Sequence, residues 1–297
     1  MFRKKRGSDP VKVLNRARSP FGANMMYFRI TDDFDLKKIA DSGQCFRWEQ
    51  IEEEYYRILH SDRCIYVKRQ DEECYQFSCE EDEFDAVWRD YFDLQEDYRA
   101  IRGRIDAGRD PFLYAAAEHE KGIRILRQDP WEMLITFIIS QNKNIPAIQR
   151  SVEMLCEMCG ERKLDHYGKA YYSFPTPDAV AALREEDLKA CRLGYRWDYV
   201  RRAAKALLDG ELDLSALRDA EEAQTLESLR SLYGVGPKVA NCVSLFGLHH
   251  INAFPEDVWI KRVLKQEYPE GYPFDDYSPY NGVYQQYMFA YYREGES

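Results

Sequence analysis

The stretch Leu229-Arg230-Ser231-Leu232-Tyr233-Gly234-Val235-Gly236-Pro237-Lys238-Val239-Ala240-Asn241-Cys242 decides how this chain is read. A helical pattern stops at Gly234 and another starts at Pro237. Glycines at both 234 and 236 permit a tight turn with positive φ. Pro237 suits the first helical position, where its missing N–H costs nothing. Such a turn presents backbone amides and a helix N-terminus, a natural seat for an anion such as a DNA phosphate. Gly234 and Gly236 are therefore candidate DNA contacts. An ordinary αα-corner has the same local pattern, so the turn alone does not decide between the two.

Lys238 adds chemistry to the turn. It follows the helix-starting proline, at the positive end of the helix dipole, where an ammonium ion is disfavoured, and partial burial disfavours it further. A lysine with a depressed pKa is a nucleophilic amine able to form a Schiff base at a sugar C1′. Cys242, four residues on, shares its helix face. The commoner fate of a lysine beside such a turn is to stay solvated and contact phosphate. Nineteen residues after Lys238, Asp257 opens the next helix. Alone it reads as an N-cap. Facing Lys238, its carboxylate would stabilise cationic charge developing on a sugar and help proton transfer. A GVG-x-K turn followed by a helix-opening Asp is much more specific than either half.

Outward from this motif, two patterns divide the chain. Residues 1–24 read as a loose arm, punctuated by Gly7, Pro10, Pro20 and Gly22. Strands are predicted at 27–30, 45–51, 55–60, 64–69 and 74–78, with a short helix over 33–40; the short connections favour antiparallel pairing. From about residue 83 helical periods take over, at 83–90, 95–105, 111–120, 130–142, 145–159, 178–191, 197–209, 220–231, 237–248, 257–267 and 280–292. The predicted fold is α+β: a small antiparallel sheet lobe over 25–125, and a helical domain over 126–297 whose last helix can pack back on the first lobe.

The chain has 297 residues, 45% hydrophobic and 14% aromatic, enough for about two domains with real cores. No apolar run approaches the roughly 20 residues of a membrane span, and no apolar segment follows the basic start, so neither a membrane partner nor a signal peptide is expected. Formal net charge is −10, but residues 71–99 hold 12 acids and two arginines and so carry the whole imbalance. The region 230–262 has Arg230, Lys238, Lys261 and Arg262 against Glu256 and Asp257. A polyanion can meet that face while the acidic run serves as a solvated surface. Eight cysteines in a chain without a secretion signal are expected to be reduced. Cys156 and Cys159 lack the second pair that zinc needs and read as core thiols; no cysteine follows Cys242, which excludes a four-cysteine iron–sulfur cluster there.

The hairpin, its lysine and the following Asp resemble the helix–hairpin–helix DNA glycosylase superfamily, whose bifunctional members carry the lysine. Three segments resemble the 8-oxoguanine DNA glycosylase family in particular. Ser42-Gly43-Gln44-Cys45-Phe46-Arg47-Trp48 resembles its GQ-x-FRW motif. Asp129-Pro130-Trp131-Glu132, leading to Ser140-Gln141-Asn142-Lys143-Asn144-Ile145, resembles its helix and Asn-rich loop. Leu193-Gly194-Tyr195-Arg196 with Tyr199-Val200 resembles its LGYR-x-x-YV segment. The matches run from about 27 to 293.

The resemblance implies an enzyme of base excision repair. It would flip 8-oxoguanine out of double-stranded DNA, attack C1′ with Lys238 beside Asp257, and nick the strand as an AP lyase. Asn142, Tyr195 and Arg196 would fill the gap and hold the opposite strand. The Gly43 carbonyl would accept from N7–H of 8-oxoguanine and repel the bare N7 of guanine. Gln285 and Phe289, on one helix face, would read the Watson–Crick edge and stack on the base, with Cys242 on the other face. Backbone carbonyls of Arg230, Leu232 and Val235 would hold a monovalent cation; no other cofactor is implied. Trp259 stands near the phosphate where eukaryotic members have His, Ala147 replaces an Arg that contacts the orphaned cytosine, and Tyr233 replaces the hairpin Pro. The lost Arg puts strict cytosine selectivity opposite the lesion in doubt, and the departures resemble the bacterial branch of the family; a monomer working on cytoplasmic, nucleoid DNA is expected. Two other readings fit parts of the sequence: a monofunctional alkylpurine glycosylase in which Asp257 activates water, and a non-catalytic DNA-binding hairpin.

Overall fold

The computed structural model describes residues 10–18 and 24–295. Its first layer is a six-stranded antiparallel sheet in the order β1-β2-β6-β5-β4-β3. The strands are β1 (Val11–Arg18), β2 (Asn24–Ile30), β3 (Trp48–Glu52), β4 (Tyr55–His60), β5 (Arg63–Arg69) and β6 (Cys74–Phe77). Between β2 and β3 lies α1 (Leu36–Asp41), capped by Asp35, whose side chain accepts from Lys38 N–H at 3.0 Å. One face of the sheet buries Phe28, Ile65, Val67 and Phe77. Phe84, Trp88 and Phe92 pack on them from the segment α2 (Glu81–Glu83), a π-helical turn (Phe84–Trp88) and α3 (Arg89–Tyr91). Burying each such ring contributes about 1.5–3 kcal/mol.

The second layer is helical: α4 (Tyr98–Arg102), α5 (Pro111–His119), α6 (Pro130–Ser140), α7 (Ile145–Cys159), α8 (Pro177–Ala182), α9 (Glu185–Ala190), α10 (Arg196–Leu208), α11 (Leu214–Leu217), α12 (Glu222–Arg230), α13 (Pro237–Phe246), α14 (Val258–Glu267), α15 (Phe274–Tyr277) and α16 (Asn281–Gly295). Every residue of α6 from Trp131 to Ser140 is buried, the mark of a helix surrounded on all sides. It packs against α7, α10 and α13, which brings the hairpin helix onto the molecular core. The C-terminal α16 packs against α5 and α14, and Tyr284 Oη donates to Ile101 O at 3.0 Å. All eight cysteines are free thiols.

Three expectations change. Residues 11–18, predicted as part of an arm, form the edge strand β1, paired with β2 through a register shift between Val13 and Asn15. Val11 is buried but Lys12, Val13 and Leu14 are exposed, so burial does not alternate over 11–14; residues 1–9 and 19–23 of that arm lie outside the described residues. The helix predicted over 178–191 is broken. Leu183 turns extended at ψ 142°, and the Asp187 carboxylate accepts from Arg184 N–H at 3.2 Å to start a new helix. A hairpin of β7 (Arg162–Leu164) and β8 (Ala170–Tyr172) has no counterpart among the predicted strands. It turns around Asp165, which accepts from the Tyr167 and Lys169 amides at 2.9 Å and from Tyr66 Oη at 2.7 Å.

Candidate active site

The hairpin forms as its sequence dictates. Gly234 sits at φ +86°, and a Cβ there would lie 2.3 Å from the Tyr199 ring, so only glycine fits. Gly236 caps α13 without any side-chain bond, leaving the first-turn amides available to an anion. Gln141 Nε2 donates to the Gly234 carbonyl at 3.1 Å, tying the Asn-rich loop to the turn. The Leu232 carbonyl accepts from Val235 N–H at 3.1 Å and keeps a second lone pair.

Lys238 is half-buried at the second position of α13, its Nζ 5.3 Å from the centre of the Phe137 ring. Asp257 is the N-cap of α14: one carboxylate oxygen accepts from Trp259 N–H and Ile260 N–H, both at 2.9 Å. Capping and cleft-facing placement, weighed against each other in the sequence, coexist. Lys238, Asp257, Gly43, Phe46, Trp259 and Phe289 line one cleft of about 460 Å³. Burial pushes the Cys242 thiol up; the Lys238 side chain, within hydrogen-bonding reach, pulls it down, and Asp257 pushes it up. Amine, carboxylate and thiol thus share one electrostatic neighbourhood.

The opposite wall belongs to the sheet lobe. Gly43 holds φ +77°, and a Cβ there would meet the Phe289 ring at 3.2 Å. Buried Gln44 fixes this glycine. Its Nε2 donates to Arg124 O at 2.8 Å, its Oε1 accepts from Leu126 N–H at 2.8 Å, and its carbonyl accepts from Gln128 Nε2 at 2.9 Å. The GQ pair is therefore a glycine at the cleft and a glutamine that rivets it to the segment 124–128. Arg47 of the same motif is buried, donates to Tyr172 O at 2.5 Å and lies 3.7 Å from Glu132, whose carboxyl burial pushes up to about 7.

Other predicted residues fall in different places. Asn142 (φ +51°) is exposed on the loop after α6, and its Nδ2 donates to Tyr195 Oη at 3.2 Å. Arg196, expected on the DNA face, is only 6% exposed. Its guanidinium donates to Gln141 O and Leu193 O and lies 4.3 Å from the Tyr195 ring centre, so it props up Asn142 and Tyr195 from beneath. Gln285 is 3% exposed; it donates to Pro255 O at 3.2 Å and accepts from Gln286 Nε2 at 3.0 Å. It braces the loop that delivers Asp257, as does Asn241, whose Oδ1 accepts from Phe254 N–H at 3.2 Å. Cys242 is likewise buried behind the cleft. Ala147 lies in the first turn of α7, its N–H donating to Asn144 Oδ1 at 3.0 Å.

Phe137, Lys143 and Arg293 are among the cleft residues that sequence reasoning did not assign to the site. Phe137 appeared only as part of an apolar run. Lys143 donates to Ser151 Oγ at 2.6 Å and Arg192 O at 2.7 Å, and burial holds its pKa below the usual lysine value. Arg293 lies 5.2 Å from the Phe289 ring centre and donates to Asp41 O. Its place one helical turn beyond Phe289 was the available signal.

A sheet lobe on a helical domain, with a phosphate-ready hairpin whose lysine shares a cleft with a helix-capping aspartate, defines the helix–hairpin–helix base-excision glycosylases. Residues 27–134 match the family model for the 8-oxoguanine DNA glycosylase N-terminal domain, and residues 135–270 match that for the HhH-GPD superfamily base excision DNA repair protein. This chain belongs to the 8-oxoguanine DNA glycosylase family. The N-glycosylase/DNA lyase of Saccharomyces cerevisiae is 32% identical over 257 residues, covering 78% of this chain and 68% of that protein. A probable N-glycosylase/DNA lyase of Methanothermobacter thermautotrophicus is 26% identical, covering 83% of this chain and 86% of that protein. The solved Clostridium acetobutylicum 8-oxoguanine glycosylase/lyase, in complex with dsDNA containing cytosine opposite to 8-oxoG, is 33% identical with a TM-score of 0.87, covering 97% of this chain and 98% of that one.

Proposed function

We propose that this protein releases 8-oxoguanine from double-stranded DNA and then cleaves the strand at the resulting abasic site. The observation that carries the mechanism is the shared cleft of Lys238 and Asp257 at the mouth of the hairpin. The hairpin amides take a backbone phosphate and seat the flipped nucleotide's sugar against the cleft. The Lys238 Nζ lone pair attacks C1′; the C1′–N9 bond breaks and its electron pair leaves with the base, which takes up a proton. The attacking nitrogen loses a proton, the sugar ring opens as the C1′–O4′ bond breaks, and O4′ is protonated to leave a protonated Schiff base. Removal of a C2′ proton then expels the 3′ phosphate by β-elimination, and water hydrolyses the imine to restore the amine. The Asp257 carboxylate faces the cationic charge that develops on the sugar.

In this reading the Gly43 carbonyl selects N7–H, Phe289 stacks on the base, and Cys242 and Gln285 back the pocket. Asn142 and Tyr195 fill the vacated stack, with Arg196 holding both, and Trp259 packs near the phosphate. The glycosylase and lyase steps use the protein's own amine and carboxylate and route no electrons through a cofactor. The turn's carbonyls at Arg230, Leu232 and Val235 are suited to a monovalent cation that would stiffen the hairpin. No helix among the described residues is long and apolar enough to cross a membrane. Ala147, Tyr233 and Trp259, with the likeness to the Clostridium protein, support a bacterial-type member of the family.

The test is product analysis on duplexes carrying 8-oxoguanine, 3-methyladenine or unmodified guanine. Release of 8-oxoguanine with strand cleavage is expected. Release of 3-methyladenine alone, without a nick, would favour the alkylpurine reading; binding without any base release would leave only a DNA-binding hairpin.

A further inference from the structure

Outside the cleft, three tyrosines form a strip from the Asn142 loop to the hairpin. Tyr195 lies edge-on to Tyr199 with ring centres 5.6 Å apart, and Tyr199 lies edge-on to Tyr233 at 5.2 Å. Asn142 is bonded to Tyr195 at one end, and the Tyr199 ring fills the space over Gly234 at the other. The outer rings are left in water, Tyr195 at 49% and Tyr233 at 59% exposure. A run of exposed aromatics continuous with a phosphate-binding turn marks an interaction surface. Arg202 covers the Tyr233 ring at 4.7 Å. Asp198 faces both Arg202 (2.7 Å) and Arg201 (3.9 Å), so one carboxylate meets two guanidiniums and a positive charge remains beside the ring. The ring offers a flat apolar face, the hydroxyl a donor, and the arginine a charge that a phosphate can draw from Asp198.

We propose that Tyr233, seated on Tyr199 and flanked by Arg202, is a DNA-positioning residue. It packs on the sugar–phosphate backbone next to the phosphate held by the hairpin amides. Through Tyr199 and Tyr195 its contact is continuous with the wedge at Asn142, so gap and phosphate are gripped at a fixed separation and C1′ is delivered to Lys238. The inference rests on the glycosylase reading above and adds a contact that neither the hairpin amides nor the wedge supplies.

The experiment measures full-length protein binding to a duplex with a stable abasic-site analogue, alongside single-turnover 8-oxoguanine release at saturating enzyme and thermal unfolding. Tyr233→Ala is expected to weaken Kd about tenfold, the scale of one aromatic contact to nucleic acid. The saturated rate should change much less and Tm should stay put. Tyr233→Phe should recover most of the affinity. Arg202→Gln, which does not depend on how Tyr233 variants fold, should lower the salt slope of log Kd by about one. Tyr114→Ala, an exposed tyrosine outside the strip, is the control. Tyr233→Ala binding within twofold of wild type, a loss matched by Tyr114→Ala, or Tyr233→Phe as weak as Tyr233→Ala would overturn the proposal. If binding depends on Tyr233 but wild type releases no 8-oxoguanine, the catalytic reading fails and the strip stands.

Discussion

Gly43 and Phe289 face each other across the cleft so closely that a methyl group on Gly43 would lie 3.2 Å from the ring. The contact joins the sheet lobe to the C-terminal helix at the place where the base is proposed to be read. Gly43→Ala would both crowd the ring and force a side chain into φ +77°. We expect a stability loss of about 1–3 kcal/mol from the backbone alone. 8-Oxoguanine release should fall further than stability does, because the displaced carbonyl no longer meets N7–H. Thermal melts and single-turnover excision on the same preparation check this.

Gly234 is constrained more severely. At φ +86°, with Tyr199 carbon atoms 2.3–2.8 Å from a hypothetical Cβ, Gly234→Ala must push the ring or the turn aside. The expected cost is about 2–5 kcal/mol from strain and overpacking together. DNA affinity should drop with it, since the turn's amides lose their arrangement. A Gly234→Ala protein with wild-type Tm and wild-type Kd would show that the hairpin is not held as described.

Asp257 carries two roles that one pair of substitutions separates. Asn is as good an N-cap as Asp, so Asp257→Asn should keep the bonds to Trp259 and Ile260 and cost only a few tenths of a kcal/mol, whereas Asp257→Ala should cost about 1 kcal/mol. Both remove the carboxylate, and both should slow base release by about 10²–10³-fold. Unfolding and excision kinetics of the two variants together decide the matter; an Asp257→Asn enzyme of normal rate would reduce the residue to a cap.

Glu132 makes stability depend on pH in an unusual direction. Burial lifts its carboxyl from an ordinary 4.5 to about 7. Between those values the unfolded chain has lost a proton that the folded chain keeps, so this group's contribution falls as pH rises through that window and levels off above about 7. Burial acts oppositely at His60, lowering it to about 4, so that its contribution is lost as pH falls below about 6.5. The wild type should therefore be compared with Glu132→Gln. The variant's stability relative to wild type should rise by a few kcal/mol between pH 4.5 and 7, because each tenfold difference in acidity between the folded and unfolded chain is worth about 1.4 kcal/mol. A difference independent of pH would mean that Glu132 titrates normally.

The placement of Lys238 and Asp257 was legible because its signals are local. The glycine turn, the proline at the first helical position and the capping Asp each declare a backbone conformation within a few residues, and those conformations place Lys238 and Asp257 at two helix starts. What brings the starts together is tertiary and was not legible. Gln285 and Asn241 hold the loop that delivers Asp257, yet in sequence one read as a base contact and the other carried no signal. The burial of Arg196 was not legible for the same reason: it depends on Gln141, fifty-five residues away, as well as on neighbouring Tyr195. In β1 only Val11 among residues 11–14 is buried, and the strand is defined by its backbone ladder to β2, with a register shift between Val13 and Asn15. The break at Leu183 follows from one Asp187 side chain, whose preference for a new cap outweighs continued helix.

In the proposed reaction the Lys238 amine becomes bonded to C1′. Borohydride reduction during reaction with an 8-oxoguanine duplex tests it most directly, because it converts the Schiff base to a stable amine. The account requires a covalent protein–DNA adduct whose cross-linked peptide contains Lys238, and its disappearance in Lys238→Gln while duplex binding persists. Base release by the wild type with no trapped adduct, or an adduct unchanged in Lys238→Gln, would contradict it.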